Sequence, residues 1–196
     1  MPAASAWKTA TESIEWAVRN LCELILDASG IGTTAHLAME EVLLLHDVRY
    51  VHVTYKGTAD QMLAVASGQM MAGVNSTGFA PWVEREQIRL LATFNANRNP
   101  RWSDIPTMCE LGCAQAVYTS PWGLVAPAAT QAAVIHRLHD AFHKAMLSER
   151  HTGTLAKYDQ ELQNLNMRDY RQAVLDTVER ERRLLTLMNL LAKPAP

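Results

Sequence analysis

Along the first two thirds of the chain, the spacing of apolar residues changes back and forth between that of a β-strand and that of a helix. Residues 23–28 form a mostly apolar run and residues 48–55 alternate apolar with polar positions, which predicts a β-strand in each. Between them, apolar residues at helical spacing predict a helix from Thr33 or Thr34 to about His46. Strands that alternate with helices in this way predict an α/β lobe.

The same patterns predict the remaining elements. After Pro127 the spacing of apolar residues is helical throughout, so a helical segment is expected to follow the α/β lobe. One or two helical turns are predicted at 107–113, and residues 116–127 are expected to be extended. The other predicted elements are helices at 11–20, 59–68, 130–149, within 151–160 and at 167–192, and strands at 70–75 and 88–94.

Composition narrows the class of protein. The chain has 196 residues, of which 48% are hydrophobic and 19% charged, with a formal net charge of -2, so no attraction to nucleic acid is expected. No apolar window is long enough to predict a membrane span, and no signal peptide is recognised, so the chain as given is expected to stay in the cytoplasm. Three cysteines make no disulfide framework. Cys109 and Cys113 are predicted to be small buried or half-buried thiols, with a metal or redox pair as the alternative.

A glycine-rich turn follows the first predicted strand. Residues 30–35 fit the relaxed dinucleotide pattern G-x-G-x-x-A, and the helix that follows would present free N–H groups to an anion. A dinucleotide site also needs an acidic residue at the end of the next strand, where Thr54, Tyr55 and Lys56 stand instead. A small-anion site is therefore favoured over a dinucleotide site, and a purely structural turn stays open.

Two further loops follow predicted strands. Tyr55, Lys56 and Gly57 end one strand, and the polar segment 75–78 follows another. Each could be a plain turn. Because loops after successive parallel strands meet at one edge of a sheet, the three loops together predict a ligand site at that edge.

Histidines form a stripe on the helix predicted at 130–149. His136, His139 and His143 are three and four residues apart, a spacing that can hold zinc. They also flank an apolar face, where histidine is common. A structural role at the border of that face is therefore favoured over a metal site. No nucleophile elbow, P-loop, paired Cys motif or zinc-protease motif is present, so no catalytic residue or cofactor is predicted.

Several ordered segments resemble one family. "SGIGTTAHLAMEEVL", "VHVTYKGTADQML", "SGQMMAGVNSTGFAPWV" and "RWSDIPTMCELG" occur in the order and with the spacing found in the Bug or TctC family, and the resemblance covers about residues 11–190. These are the extracytoplasmic solute-binding proteins of tripartite tricarboxylate transporters. The resemblance implies one lobe of a type II periplasmic-binding-protein fold, a periplasmic location, transporter membrane subunits as partners, and small carboxylate ligands held without cofactor or metal.

The resemblance also implies a set of ligand-binding positions. They are Ser29, Gly30, Gly32, Thr33, Thr34 and His36 in the glycine turn, Tyr55, Lys56 and Gly57 after the second strand, and Asn75, Ser76 and Thr77 in the third loop. Asp27, inside the apolar run before the turn, departs from the expected pattern.

The organisation of the chain departs from the family in one larger respect. Residues 8–126 resemble the second lobe of a venus-flytrap protein, and residues 127–196 resemble the helices that normally complete the first lobe, whose opening strands are not matched. The apolar faces of those helices are expected to pack on the α/β lobe in a new way or against a second copy, which makes a homo-oligomer the expected state. The alternatives are an interaction protein without a ligand and a small enzyme built on the carboxylate-binding lobe.

Overall fold

The computed structural model describes residues 1–28, 30–119 and 123–191. Internal contacts divide the chain into two units, one formed by Met1–Ser120 with Thr177–Pro196 and the other by Pro121–Asp176. The division proposed from the sequence, at residues 126 and 127, concerns the lobes of the family and stays a prediction. Within the described ranges, every helix is too short or too polar to cross a membrane.

A three-stranded parallel sheet forms the centre of the first unit. The sheet has the order β2-β1-β3, and Leu24 pairs with Tyr50 while Leu26 pairs with Ala72. Because all three strands run the same way, the loops that follow them share one edge. The strands are β1 (Leu24–Ala28), β2 (Tyr50–Thr54) and β3 (Ala72–Gly73). The α/β class predicted from the sequence is confirmed.

Two helices of the first unit begin at a threonine whose side chain caps the helix. Thr9 caps α1 in a capping box with Glu12, and Thr33 accepts a hydrogen bond from the backbone N–H of His36 at the start of α2. Gly57 precedes α3 without a side-chain cap. The helices are α1 (Ala10–Arg19), α2 (Thr34–Leu45), α3 (Thr58–Ala66) and α4 (Ala80–Glu84).

Two hydrophobic clusters build much of the core of this unit, one around β1 and one around α3. Leu24 and Leu26 contact a cluster that includes Ala17, Leu43 and Val48. A separate cluster on α3 is built from Met62 and Val65 with Ile88. Burying these side chains contributes about 25 cal/mol for each Å² of apolar surface, which orders the sheet and hence the loops at its edge.

The end of the chain's last helix belongs to this core. Helix α7 (Met167–Leu187) carries Leu184, which is 1% exposed and packs against Leu37, Ala38 and Tyr118. Buried Glu41 accepts hydrogen bonds from the Tyr118 hydroxyl, at 2.8 Å, and from the guanidinium of Arg183. The C-terminal part of α7 is thereby fixed to α2.

Three details of the sequence prediction were wrong. Residues 88–94 are extended but make only isolated bridges, Pro2 with Ile88 and Thr93 with Thr107, because no neighbouring segment runs alongside them for more than one residue. Turns replace the predicted helical turns at 107–113, where Gly112 has a φ of 87°, and a short 3₁₀ helix follows at Ala114–Ala116. Helix α4 was not predicted.

The second unit is helical, as predicted after Pro127. It contains α5 (Ala132–Met146), α6 (Glu149–Lys157) and the start of α7. Val134, Leu138 and Phe142 lie at spacings of four along α5 and are 44–46% exposed. An apolar stripe of this kind is typical of a helix whose face is covered by another element.

Candidate functional site

The proposed site lies at the edge of the sheet where the three parallel strands end. The glycine turn follows β1, residues 55–57 follow β2 and residues 74–78 follow β3. The structure therefore brings together the loops that the sequence pattern singled out. Ser29, between β1 and the turn, lies outside the described residues.

The turn needs glycine at two positions. Gly30 has a φ of 145° and Gly32 a φ of 74°, both in the range that side chains rarely adopt. Thr33 closes the turn: its hydroxyl donates to the carbonyl oxygen of Gly30 at 2.8 Å and caps α2. Thr34 is the first residue of α2 and is half-buried. The geometry is that of a strand, a glycine turn and a helix N-terminus, which favours anions.

A chain of hydrogen bonds connects the turn to the interior. The backbone N–H of Gly32 donates to Nδ1 of His36 at 3.0 Å, so Nδ1 carries no proton and Nε2 does. Nε2 lies 3.0 Å from the Tyr50 hydroxyl, which donates to Oε2 of Glu40 at 2.7 Å. Both ring nitrogens of His36 are thus engaged within the protein, and the ring fixes the shape of the turn.

His36 and Tyr50 have pKa values that keep both side chains neutral near pH 7. Burial and, to a smaller extent, the ring of His52 together lower the pKa of His36 to about 4. The two rings are stacked at a centroid distance of 4.0 Å. Burial and the hydrogen bond to Glu40 raise the pKa of Tyr50. The hydrogen-bond directions described above therefore hold across the neutral pH range.

The residues of the loop after β2 differ in their exposure to solvent. Tyr55 is half-buried, and Lys56 and Gly57 are exposed. The carbonyl oxygen of Gly57 accepts from the backbone N–H of Gln61 at 3.2 Å, so this glycine begins α3. An added Cβ at Gly57 would meet nothing within 4 Å, which leaves space in front of the backbone here.

The loop after β3 is held by a second hydrogen-bond chain. Gln61 donates to Oδ1 of Asp27 and to the carbonyl oxygen of Val74, the latter at 3.0 Å. Its Oε1 accepts from Nδ2 of Asn75 at 2.6 Å, and Oδ1 of Asn75 accepts from the backbone N–H of Thr77 at 3.2 Å. Asn75 and Thr77 are half-buried and Ser76 is exposed. Asn75 therefore shapes the loop, as His36 shapes the turn.

The sequence did not predict the residues that support these loops. From the sequence, Asp27 is only a departure from the family pattern, and Gln61, Tyr50 and Glu40 are not among the predicted site residues. The signal available was a polar residue inside an apolar pattern: Asp27 between Leu26 and Ala28, and Gln61 beside Met62 on the buried side of α3. Buried polar side chains need partners, so such positions indicate a network.

The histidines and cysteines that the sequence offers as metal ligands have other neighbours in the structure. His139 and His143 stack at 5.9 Å on α5, and Nε2 of His143 lies 2.9 Å from the amide nitrogen of Asn164. Cys113 is buried as predicted, with its sulfur 3.7 Å from Nε2 of His46. Cys109 is exposed, so the prediction of a buried or half-buried thiol is wrong at that position. In the part of the chain that the structure describes, no three His, Cys, Asp or Glu side chains are placed to share an ion.

Comparison with known proteins gives a consistent picture. The model of the family "Tripartite tricarboxylate transporter family receptor", TctC, matches residues 1–190. The UPF0065 protein in the gbd 5' region of Cupriavidus necator is 38% identical over 190 residues, which are 97% of this chain and 58% of that protein. The chain thus spans a little over half the length of this relative.

Solved structures of the same kind share the fold. The structure of R. palustris Rpa4515 with adipate is 25% identical and superposes with a TM-score of 0.78, over 94% of this chain and 62% of that one. A TctC solute-binding protein from Polaromonas is 20% identical with a TM-score of 0.78, over 97% and 65% of the two chains. The predicted fold, a part of a periplasmic-binding-protein fold, is confirmed.

Proposed function

This chain belongs to the tripartite tricarboxylate transporter receptor family, whose members are solute-binding proteins, and we propose that it binds a small carboxylate at the edge of its sheet. The observation that carries the proposal is the convergence of three loops at that edge, one of them a glycine turn at a helix N-terminus. The related structure from R. palustris contains adipate, which makes a dicarboxylate the first ligand to test.

The proposed contacts are made by atoms of the three loops. In the turn they are backbone groups and hydroxyls of Ser29, Gly30, Thr33 and Thr34 at the positive end of α2. Tyr55 and Lys56 contribute a hydroxyl and an ammonium group, and Gly57 contributes backbone. Ser76 and Thr77 supply the third side. Gly32, His36 and Asn75 hold the shape of these loops.

Calorimetry tests the proposal directly. Adipate and a panel of small mono-, di- and tricarboxylates are titrated into the protein, with the matching alcohols or amides as uncharged controls. We expect saturable binding of at least one acid and none of its uncharged analogue, because the helix N-terminus and Lys56 favour a negative charge. A folded protein that responds to no acid would refute the proposal.

Replacing Gly32 by valine is expected to weaken the binding of any such acid by at least about a hundredfold. A β-branched residue at a φ of 74° is strained by on the order of 1–3 kcal/mol, which displaces the N–H that bonds to His36 and distorts the turn. Calorimetry with the responding acid measures the loss.

The matched control is Gly68→Val. Gly68 has a φ of 79° and an added Cβ there meets nothing within 4 Å, so the backbone strain is similar but lies after α3, away from the turn. Its stability should fall while its affinity for the acid stays within about twofold. Equal loss of affinity in both variants would show that the turn has no special part in binding.

We propose that the receptor works in the periplasm and delivers its ligand to the membrane subunits of a tripartite transporter. The support is membership of the family, and the chain spans only part of its relatives. Delivery would need a surface that the membrane subunits recognise, and crosslinking in membranes that contain those subunits would test it.

We also propose that the exposed stripe of α5 is covered in a homo-oligomer. Val134, Leu138 and Phe142 form an apolar stripe that is nearly half exposed, and such contiguous apolar surface is typical of an interaction face. Sedimentation at several concentrations should show dimers or larger species, and Leu138→Glu should shift them to monomers while circular dichroism stays unchanged. A monomer at all concentrations in the unmodified protein would contradict the proposal. The same exposed stripe would also support the alternative function, an interaction protein that binds no ligand.

A further inference from the structure

A buried carboxyl group lies just before the proposed ligand site. Asp27 is 1% exposed and stands in β1, three residues before Gly30. Its Oδ1 accepts a hydrogen bond from Gln61, whereas Oδ2 has no hydrogen-bond partner among the described residues. A buried carboxylate normally has partners on both oxygens, so this environment stabilises the ionised form poorly.

The neighbours of Asp27 are mostly uncharged. Gln61 contacts it from α3, and Gly73 lies against it from β3. The amino group of Met1 also acts on it electrostatically and favours its ionised form, while burial lowers the pKa of that amino group to about 6. Burial outweighs that attraction and raises the pKa of Asp27 to about 6.

The hydrogen bonds of Asp27 lead to the ligand site. Gln61 donates to Asp27 and accepts from Asn75, and Asn75 accepts from the backbone N–H of Thr77. Each donor points toward the carboxyl group, so the loop at 75–77 and Asp27 are connected through polarised groups. A carboxylate ligand at this edge would add a second negative charge near the first.

We propose that Asp27 takes up a proton when a carboxylate binds at this edge, so that ligand binding is coupled to proton uptake. The inference rests on the proposed function, because it needs an anionic ligand at the site. Like charges disfavour each other's ionised form, and Asp27 is the buried group best placed to lose its charge. Asp27 would be neither a ligand contact nor a catalytic group; it acts through its charge and through Gln61.

The expected pH dependence has a definite sign. The ligand raises the pKa of Asp27 in the complex above its value in the free protein, so affinity increases as pH falls through the interval between them. If the pKa rises by about one unit from about 6, linkage gives roughly fivefold tighter binding at pH 6.0 than at pH 8.0. At pH 7 the complex would then take up about 0.4 proton.

Calorimetry with adipate in buffers of different ionisation enthalpy measures the proton uptake. The matched variant is Asp27→Asn, whose side-chain oxygen can accept the bond from Gln61 but which cannot titrate. We expect proton uptake in the unmodified protein and little in the variant, whose affinity should change less than about twofold between pH 6.0 and pH 8.0. The histidines are common to both proteins, whereas the Met1 amino group interacts with Asp27 and is expected to titrate differently in Asp27→Asn. Repeating both titrations with an acetylated N-terminus removes the contribution of Met1.

The possible outcomes separate the two proposals. Binding without proton uptake, or equal uptake in both proteins, would overturn this inference and leave the proposed function intact. No binding of any acid by the folded protein would overturn both. If Asp27→Asn does not fold, carbon NMR of the Asp27 carboxyl group in the unmodified protein decides: its pKa should rise when adipate is added, and an unchanged pKa would refute the inference.

Discussion

Replacing Gly73 by alanine is expected to lower the free energy of unfolding by about 3 kcal/mol and to weaken carboxylate binding as well. A Cβ on Gly73 would overlap Oδ1 of Asp27 and lie 3.0 Å from Cγ2 of Val65. Overpacking of a buried site typically costs about 1–3 kcal/mol, and loss of the bond between Asp27 and Gln61 adds about 1–3 kcal/mol. Chemical denaturation followed by circular dichroism measures the change.

The matched control for this prediction is Gly153→Ala. Gly153 lies within α6, where an added Cβ meets nothing within 4 Å, so the same chemical change should be neutral or slightly stabilising. Combining Gly73→Ala with Asp27→Ala removes the oxygen that the new methyl group overlaps. The double variant should then lose less stability than the sum of the two single variants. Strict additivity would show that the cost does not arise from this contact.

The second large effect is expected at the end of α7. Leu184→Ala removes a side chain that is 1% exposed and contacts Leu37, Ala38 and Tyr118, so it should cost about 3 kcal/mol of unfolding free energy through lost burial and the cavity left behind. Thermal or denaturant unfolding measures it. The loss matters for function because Leu37 and Ala38 lie in α2, whose N-terminus forms part of the proposed site.

Leu187→Ala on the same helix serves as the control. Leu187 is 60% exposed, so its truncation should change the unfolding free energy by less than about 0.5 kcal/mol. If both variants behaved alike, the C-terminal part of α7 would not be docked on α2 in solution. A normal melting curve for Leu187→Ala with a lowered one for Leu184→Ala would support the contact.

Local patterns were enough to predict most of the fold. The alternation in 48–55 and the helical spacing after Thr33 correspond to β2 and α2, because one face of each element packs against the core. The segment 88–94 was mispredicted for a related reason. Its apolar residues are extended and partly buried, but a strand also needs a neighbour to pair with, and pairing over a long sequence separation leaves no local signal.

The candidate site was predicted in outline only. Glycines, a capping threonine and a following helix are adjacent in sequence, so the shape of the turn at 30–33 could be anticipated. The partners of His36 and Asn75 could not, because Tyr50 and Gln61 come from other elements and meet them only after folding. His36 and Asn75, which the resemblance implied as ligand contacts, therefore form hydrogen bonds to other side chains of the protein.

The two hydrogen-bond chains also have a consequence for the rates at which backbone amides exchange their protons with solvent. Gly32 and Thr77 lie in loops, where N–H groups normally exchange quickly. Each N–H, however, donates to a side chain, His36 or Asn75, that is fixed by a further hydrogen bond. Their exchange is limited by the opening of His36 or Asn75 and not by fraying of the loop. Slow amides at these two positions would mark loops already shaped before any ligand arrives, and little ordering entropy would then be lost on binding.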